Sequence, residues 1–316
     1  MLFEIGNSNN ERWLNDVTEP QPQPKPVEPQ KAQDNFKFEV IYLLPILASM
    51  LFGLVCAYVL APQQAALPPV TIFPENTPGA PVGNALYFVV LIAAAAFGFY
   101  LLLKRRSKRI IKGLIIMAMT TASLLLSVVY LYTLLANVSN ADYIIVFISI
   151  VITVLFDLAI FRFGSVTRNV AVIGLGGALG VFFGFSIPLW SAVVILAFLA
   201  VYDVVAVYKG PVGKIAKSEG LDQLQGLSFS FKDIQMGLGD LVFYSMLTGV
   251  MSRAFLPNVW PVVASFLGIL IGSIITFYLL EKKGLFPGLP FPILFGLTFG
   301  LLTALSLGLT FPMGIV

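Results

Sequence analysis

The chain contains no histidine. HExxH zinc hydrolases and Ser-His or Cys-His dyads all need an imidazole, so these classes are excluded. Any hydrolase built from this sequence must rely on carboxylates for acid–base work. A single cysteine, Cys56, lies in an apolar run. It rules out an intrachain disulfide and reads as a small apolar residue. Charge is also scarce: only 11% of the 316 residues are Asp, Glu, Lys or Arg. Soluble domains carry about 25%, so water is not the main solvent of this protein. The net charge of +3 gives no reason to propose nucleic acid as a partner. Residues 1–16 have no continuous apolar stretch, and no cleavable signal peptide is expected.

In place of charge there is apolar sequence, 58% of the chain. Runs of about 20 such residues mark helices that cross a bilayer. Nine are expected, over 38–60, 85–103, 110–136, 141–161, 168–187, 189–208, 238–257, 260–280 and 290–311. The fifth and sixth are divided only by the Ser186-Ile187-Pro188 turn. The chain is therefore expected to be an all-α polytopic membrane protein. Residues 1–37 form a Pro/Gln-rich tail too polar to build a core, followed by a membrane domain over 38–316. With the N-terminus inside, the cytoplasmic segments carry 18 of the 19 Lys and Arg residues, and Arg253 alone lies outside. This asymmetry predicts a cytoplasmic N-terminus, an external C-terminus and a cytoplasmic loop over 209–237. Gly176, Gly180 and Gly184 recur every four residues and line one helix face. Their string lacks GxGxxG spacing after a strand, so close helix packing is the expected role.

A carboxylate in lipid costs about 2.5–3.5 kcal/mol on insertion scales, so each one needs a reason. Asp142 and Glu281 fall at span ends, where water solvates them. Asp157 is expected to snorkel toward the head groups or to pair with Arg162 or a nearby lysine. Asp203 lies about 7.5 Å before the end of the sixth span, and Asp240 about 4.5 Å after the start of the seventh. Consecutive antiparallel helices would hold both at matched depth. Two carboxylates in contact share one proton and titrate as a pair. One member then activates a water while the other protonates a leaving amine. Gly237 and Gly239 flank Leu238 just before Asp240 and leave backbone open to the approach of another chain. Tyr202, beside Asp203, offers a hydroxyl or a wall.

Those residues also carry a family resemblance. VYDVVAVYKGP (201–211) and GLGDLVFYSMLTG (237–249) resemble the paired YD and GLGD motifs of presenilins and signal peptide peptidases. PGLPFPILFG (287–296) is similar to the Pro-Ala-Leu motif at the start of their ninth helix, with glycine in place of the alanine. The resemblance implies an intramembrane aspartyl protease with Asp203 and Asp240 as its catalytic pair. Pro287, Gly288 and Leu289 would then lie near the active site and substrate. The cytoplasmic N-terminus, the KGP wording and the FYS wording favour the presenilin-like branch, and with it substrates whose N-terminus is outside. The short 209–237 stretch lacks the long insertion of eukaryotic presenilins. A compact, uncut microbial-type member in the cell membrane is expected.

Leu227-Ser228-Phe229-Ser230-Phe231 alternates apolar and polar residues, a weak strand signal that fits either pairing with an unwound substrate or an interfacial loop with its phenylalanines in the head groups. The expected partners are transmembrane-helix substrates and membrane lipid. No metal or organic cofactor is implied, and partner subunits cannot be read from the residues. The rival class is a transporter, in which intramembrane carboxylates bind protons or cations. No convincing inverted repeats support it.

Overall fold

Helices dominate because almost every apolar run is long enough to satisfy its backbone internally, and prolines or glycines punctuate the breaks. The computed structural model describes residues 37–67, 69–74, 77–105, 108–138, 140–208, 228–231, 234–283 and 286–311. Residues 1–36 of the expected tail and residues 209–227, 232 and 233 of the expected loop lie outside them. Among the described residues there are nine α-helices: α1 (Leu44–Leu60), α2 (Ala80–Lys104), α3 (Lys108–Leu134), α4 (Asp142–Phe161), α5 (Ser165–Ser186), α6 (Leu189–Tyr208), α7 (Leu238–Phe255), α8 (Trp260–Lys283) and α9 (Pro290–Ser306). Short 3-10 segments, Val40–Leu43 and Ala61–Ala66, extend α1 at both ends. Two antiparallel strands, β1 (Ser228–Phe231) and β2 (Ile234–Gly237), precede α7, with Ser228 opposite Gly237 and Phe231 opposite Ile234.

Among the described residues, seven helical stretches are long and apolar enough to cross a membrane: Val40–Gln64, Ala80–Leu102, Arg109–Leu134, Asp142–Phe161, Ser165–Ser186, Leu189–Tyr208 and Trp260–Lys283. The chain is a multi-pass membrane protein. The helix α9 is apolar but shorter, and α7 is not among the seven. Position explains α7. Thirteen of its 18 residues are buried, so it faces protein rather than lipid and tolerates Ser245, Thr248, Ser252 and Asp240. At the opposite extreme is α2, whose apolar window is only 6% buried.

Small residues set the packing, as they do where no water drives helices together. The expected glycine face of α5 lies on α7: a Cβ added at Gly176 would stand 2.8 Å from Leu241 Cβ, and one at Gly184 2.6 Å from the Met246 carbonyl oxygen. Gly177, on another face of α5, lets α1 approach in the same way, 2.5 Å from the Ser49 oxygen. The pair α8–α9 repeats the device at Gly268 and Gly272, where an added Cβ would come within 2.5 Å of the α9 backbone. Thus α1, α5 and α7 form one tight cluster and α8 with α9 another, while α6 packs chiefly on α2.

Polar clasps fix the remaining joints. Ser49 Oγ donates to the Ile173 carbonyl at 3.0 Å and lies 3.4 Å from Ser245 Oγ, joining α1, α5 and α7. Asn84 near the start of α2 accepts from the Phe73 amide at 2.9 Å, and its Nδ2 donates to the Phe73 carbonyl and to Ser191 Oγ on α6, both at 3.1 Å. Asp157 differs from expectation. Its Oδ2 accepts from Thr120 Oγ1 on α3 at 2.7 Å, while Oδ1, also buried, has no hydrogen-bond partner. Thr120 lies within side-chain reach of this carboxylate on the neighbouring helix, so Asp157 bonds across to α3 instead of reaching for Arg162 or a lysine.

Candidate active site

Asp203 lies five residues before the end of α6, and its Oδ2 accepts from the Leu289 amide at 3.0 Å. The Gly288 amide sits beside the same carboxylate. Leu289 is the N-cap of α9, has no side-chain cap of its own, and is followed by Pro290 and Pro292, which have no N–H. The first turn of a helix leaves amides without partners, and its dipole favours an anion there. Asp203 supplies that acceptor from across the interface.

Asp240 is placed by the passage from strand to helix. Gly237 is both the last residue of β2 and the N-cap of α7, with extended backbone (φ −74°, ψ 144°). Asp240 therefore falls in the first turn of α7, where the dipole again favours negative charge. Its carboxylate packs directly against the Cα of Gly288 and lies within electrostatic range of Asp203. One turn on, Tyr244 is 1% exposed and its hydroxyl donates to the Gly288 carbonyl at 2.8 Å. Residues 288–289 thus touch Asp203 through an amide, Asp240 through a Cα and Tyr244 through a carbonyl. Pro287 and Leu289 on either side of Gly288 are buried.

The spacing from Asp240 to Tyr244 is i, i+4, which puts both on one helical face. That was the signal for Tyr244, which reasoning from motifs passed over. Tyr202 is half-buried beside Asp203 and feels its charge. Gly237 and Gly239 are exposed, and neighbours do not demand a glycine at either. A Cβ at Gly237 would come no nearer than 3.9 Å to Gly239 N, and one at Gly239 no nearer than 3.8 Å to Phe243 Cε2. Leu238 between them is buried.

Two spaces flank the first turn of α7. An apolar cleft of about 420 Å³ runs from Phe88 of α2 past Phe183 of α5 to Leu238, Gly239 and Phe243. Leu179 and Phe183 also line a second apolar groove, toward α3. On the other side, a cavity of about 140 Å³ is lined by Asp240, Tyr244, Ser273, Thr276, Phe277 and Gly288, among others. Among the described residues, no three His, Cys, Asp or Glu side chains converge as metal ligands.

Comparison with known proteins shows the family and the fold. Residues 55–212, half of the chain, match the family described as signal-peptide peptidase, presenilin aspartyl protease, and residues 213–309 match the presenilin family. Presenilin-B of Dictyostelium discoideum is 33% identical over 124 residues, which span 36% of this chain and a quarter of that protein. A presenilin family intramembrane aspartate protease, solved in two crystal forms, shares the fold. One form has a TM-score of 0.62 at 21% identity, covering 84% of this chain and 99% of the other. The second has a TM-score of 0.56 at 22% identity, covering 84% and 96%. The first turn of α7, the end of α6 and the 287–289 segment lie within the matched stretches, and the chain belongs to the signal-peptide peptidase and presenilin aspartyl protease family.

Proposed function

We propose that this protein is an intramembrane aspartyl endopeptidase that hydrolyses peptide bonds within transmembrane helices, with Asp203 and Asp240 as its water-activating pair. The observation that carries the reading is the convergence of both carboxylates on residues 288–289. Two acids that close in a medium of low dielectric share a proton, and the shared proton makes one the base and the other the acid. The membrane arrangement is nine spans with the N-terminus in the cytoplasm and the C-terminus outside, in the cell membrane of a microbe. The basic-residue asymmetry supports the spans and their orientation, and the short 209–237 stretch supports the microbial assignment.

A spanning helix hides its scissile bond behind internal hydrogen bonds. The apolar cleft between α2, α5 and α7 suits a guest helix, because it ends at Gly239, one residue from Asp240. The open backbone at Gly237 and Gly239 lets the unwound stretch approach. The β1–β2 pair offers it a strand partner, and type I-like substrates are the preferred topology.

The test is cleavage of a helical substrate by the purified full chain in liposomes. Wild type cleaves, whereas Asp203→Ala and Asp240→Ala each abolish cleavage while retaining the fold. Cleavage that survives either change, or ion flux without cleavage, overturns the reading. Phe229→Pro tests the strand partner, and undiminished cleavage would remove it.

A further inference from the structure

The cavity on the far side of Asp240 from the cleft has a lining at odds with a purely apolar wall. Ser273 and Thr276 on α8, the Tyr244 hydroxyl and the Asp240 carboxylate all border it. Thr276 is 6% exposed, and its Oγ1 is buried with no hydrogen-bond partner in the protein. Ser149, Ser186 and Ser265 also carry buried hydroxyls without a partner, but of the four only Thr276 lines this cavity, and several other buried hydroxyls are satisfied within their own helix. Those of Thr153, Ser252 and Ser273 each donate to the carbonyl four residues back, at 2.8 Å. Thr276 has the Gly272 carbonyl at the same offset and makes no such bond.

A buried hydroxyl left unmatched costs about 1–3 kcal/mol, so it needs a partner that is not protein. At about 30 Å³ per molecule, a space of 140 Å³ holds about four to five waters. Each water needs two to four polar neighbours. Ser273 and Tyr244 spend their protons on the Ile269 and Gly288 carbonyls, and both keep lone pairs that accept from water. The Asp240 carboxylate also accepts, and Thr276 both gives and takes. Phe277 and Leu280 carry the lining toward Glu281, Lys282 and Lys283, the exposed end of α8.

We propose that this cavity is a water site and that Thr276 is a positioning residue, holding a water on the α8 side of Asp240, opposite the substrate cleft. The inference rests on the protease function proposed for the Asp203–Asp240 pair. Substrate then enters from one face of α7 and water from the other, so a guest helix does not seal the site against its second reactant. In the step served, the water oxygen bonds to the scissile carbonyl carbon as one water proton passes to the ionised aspartate. The protonated aspartate gives its proton first to the carbonyl oxygen. As the C–N bond breaks, the aspartate pair gives one proton to the amine nitrogen, a hydroxyl of the tetrahedral diol returns its proton to the pair, and the new carboxyl C=O forms.

The experiment uses the full chain in liposomes with a helical substrate. Thr276→Val keeps the shape and loses the hydroxyl, and kcat is expected to fall about tenfold, the scale of one lost hydrogen bond, with KM unchanged. Thr276→Ser is expected to restore kcat. Ser273→Leu fills the space, and hydroxyl-radical labelling of Phe277 and Tyr244, which reports nearby water without turnover, is expected to fall with it. Wild-type kcat in Thr276→Val overturns the proposal. So does a change confined to KM or to preference for one substrate side chain, which marks a side-chain subsite. Labelling that Ser273→Leu leaves unchanged also overturns it. A wild-type chain that binds substrate without cleaving it defeats the protease reading instead, and the labelling still reports whether the cavity holds water.

Discussion

Gly288 lies with its Cα against the Asp240 carboxylate: a Cβ built there would stand 2.9 Å from Oδ2, 3.0 Å from Cγ and 3.1 Å from Oδ1. A methyl group at that position fits only if the carboxylate turns or α7 retreats. Gly288→Ala is therefore expected to lower kcat roughly 3- to 10-fold, because small misplacements of reacting groups are costly. The thermal midpoint should stay near wild type, since Tyr244 and Leu289 keep their bonds. Gly288→Val, which is bulkier, is expected to abolish cleavage. Unchanged kcat in the alanine variant would show that the contact has no bearing on catalysis.

Cleavage should follow a bell-shaped pH profile. At low pH both Asp203 and Asp240 carry protons and no base remains. At high pH both are ionised and no acid remains. The measurement is kcat/KM against pH in liposomes buffered on both sides. A profile that rises to a plateau would mean that one carboxylate works alone.

Tyr244→Phe deletes the donor to the Gly288 carbonyl and leaves a part-buried acceptor unmatched. The expected loss is about 1–3 kcal/mol of stability in detergent unfolding, together with reduced kcat. Loss of stability with full kcat would make Tyr244 a brace for the fold alone.

Gly184→Ala places a methyl 2.6 Å from the Met246 carbonyl oxygen and 2.7 Å from Val250 N, both backbone atoms of α7. Overpacking of this kind costs about 1–3 kcal/mol. Gly98 on α2 meets nothing within 4 Å. There the same substitution should leave stability unchanged or raise it by up to about 1 kcal/mol through helix propensity. Comparing their unfolding midpoints separates packing from propensity.

Much of the helical architecture was legible because apolar runs obey simple rules, and because a carboxylate in oil is conspicuous. Asp203 and Asp240 stood out on that ground before any geometry was known, and the stepwise glycines of α5 announced their close neighbour. Other features left weaker traces. The start of α2 at Ala80, five residues before the expected boundary, hides behind Pro81, Gly83 and Asn84. Those residues disfavour a helix interior but here serve a helix end clasped by Phe73. Ser228–Phe231 is a strand, as its alternation suggested, but its partner Ile234–Gly237 was not foreseen, because four residues leading into a helix carry almost no periodicity. Asp157 bonds to Thr120, and Tyr244 to Gly288; both are contacts between distant parts of the chain that no local spacing encodes.

The grouping of helices has a mechanical corollary. Asp240 belongs to the cluster of α1, α5 and α7, which glycines lock backbone to backbone, whereas Asp203 rides on α6, whose chief neighbour is the sparsely covered α2. A wedge driven between α2 and α5 bears on the seam dividing those two bodies. For the proposed catalytic pair, split in this way, admitting a guest and setting the gap between the acids would be a single displacement, and the girth of the guest would tune the speed of its own cutting.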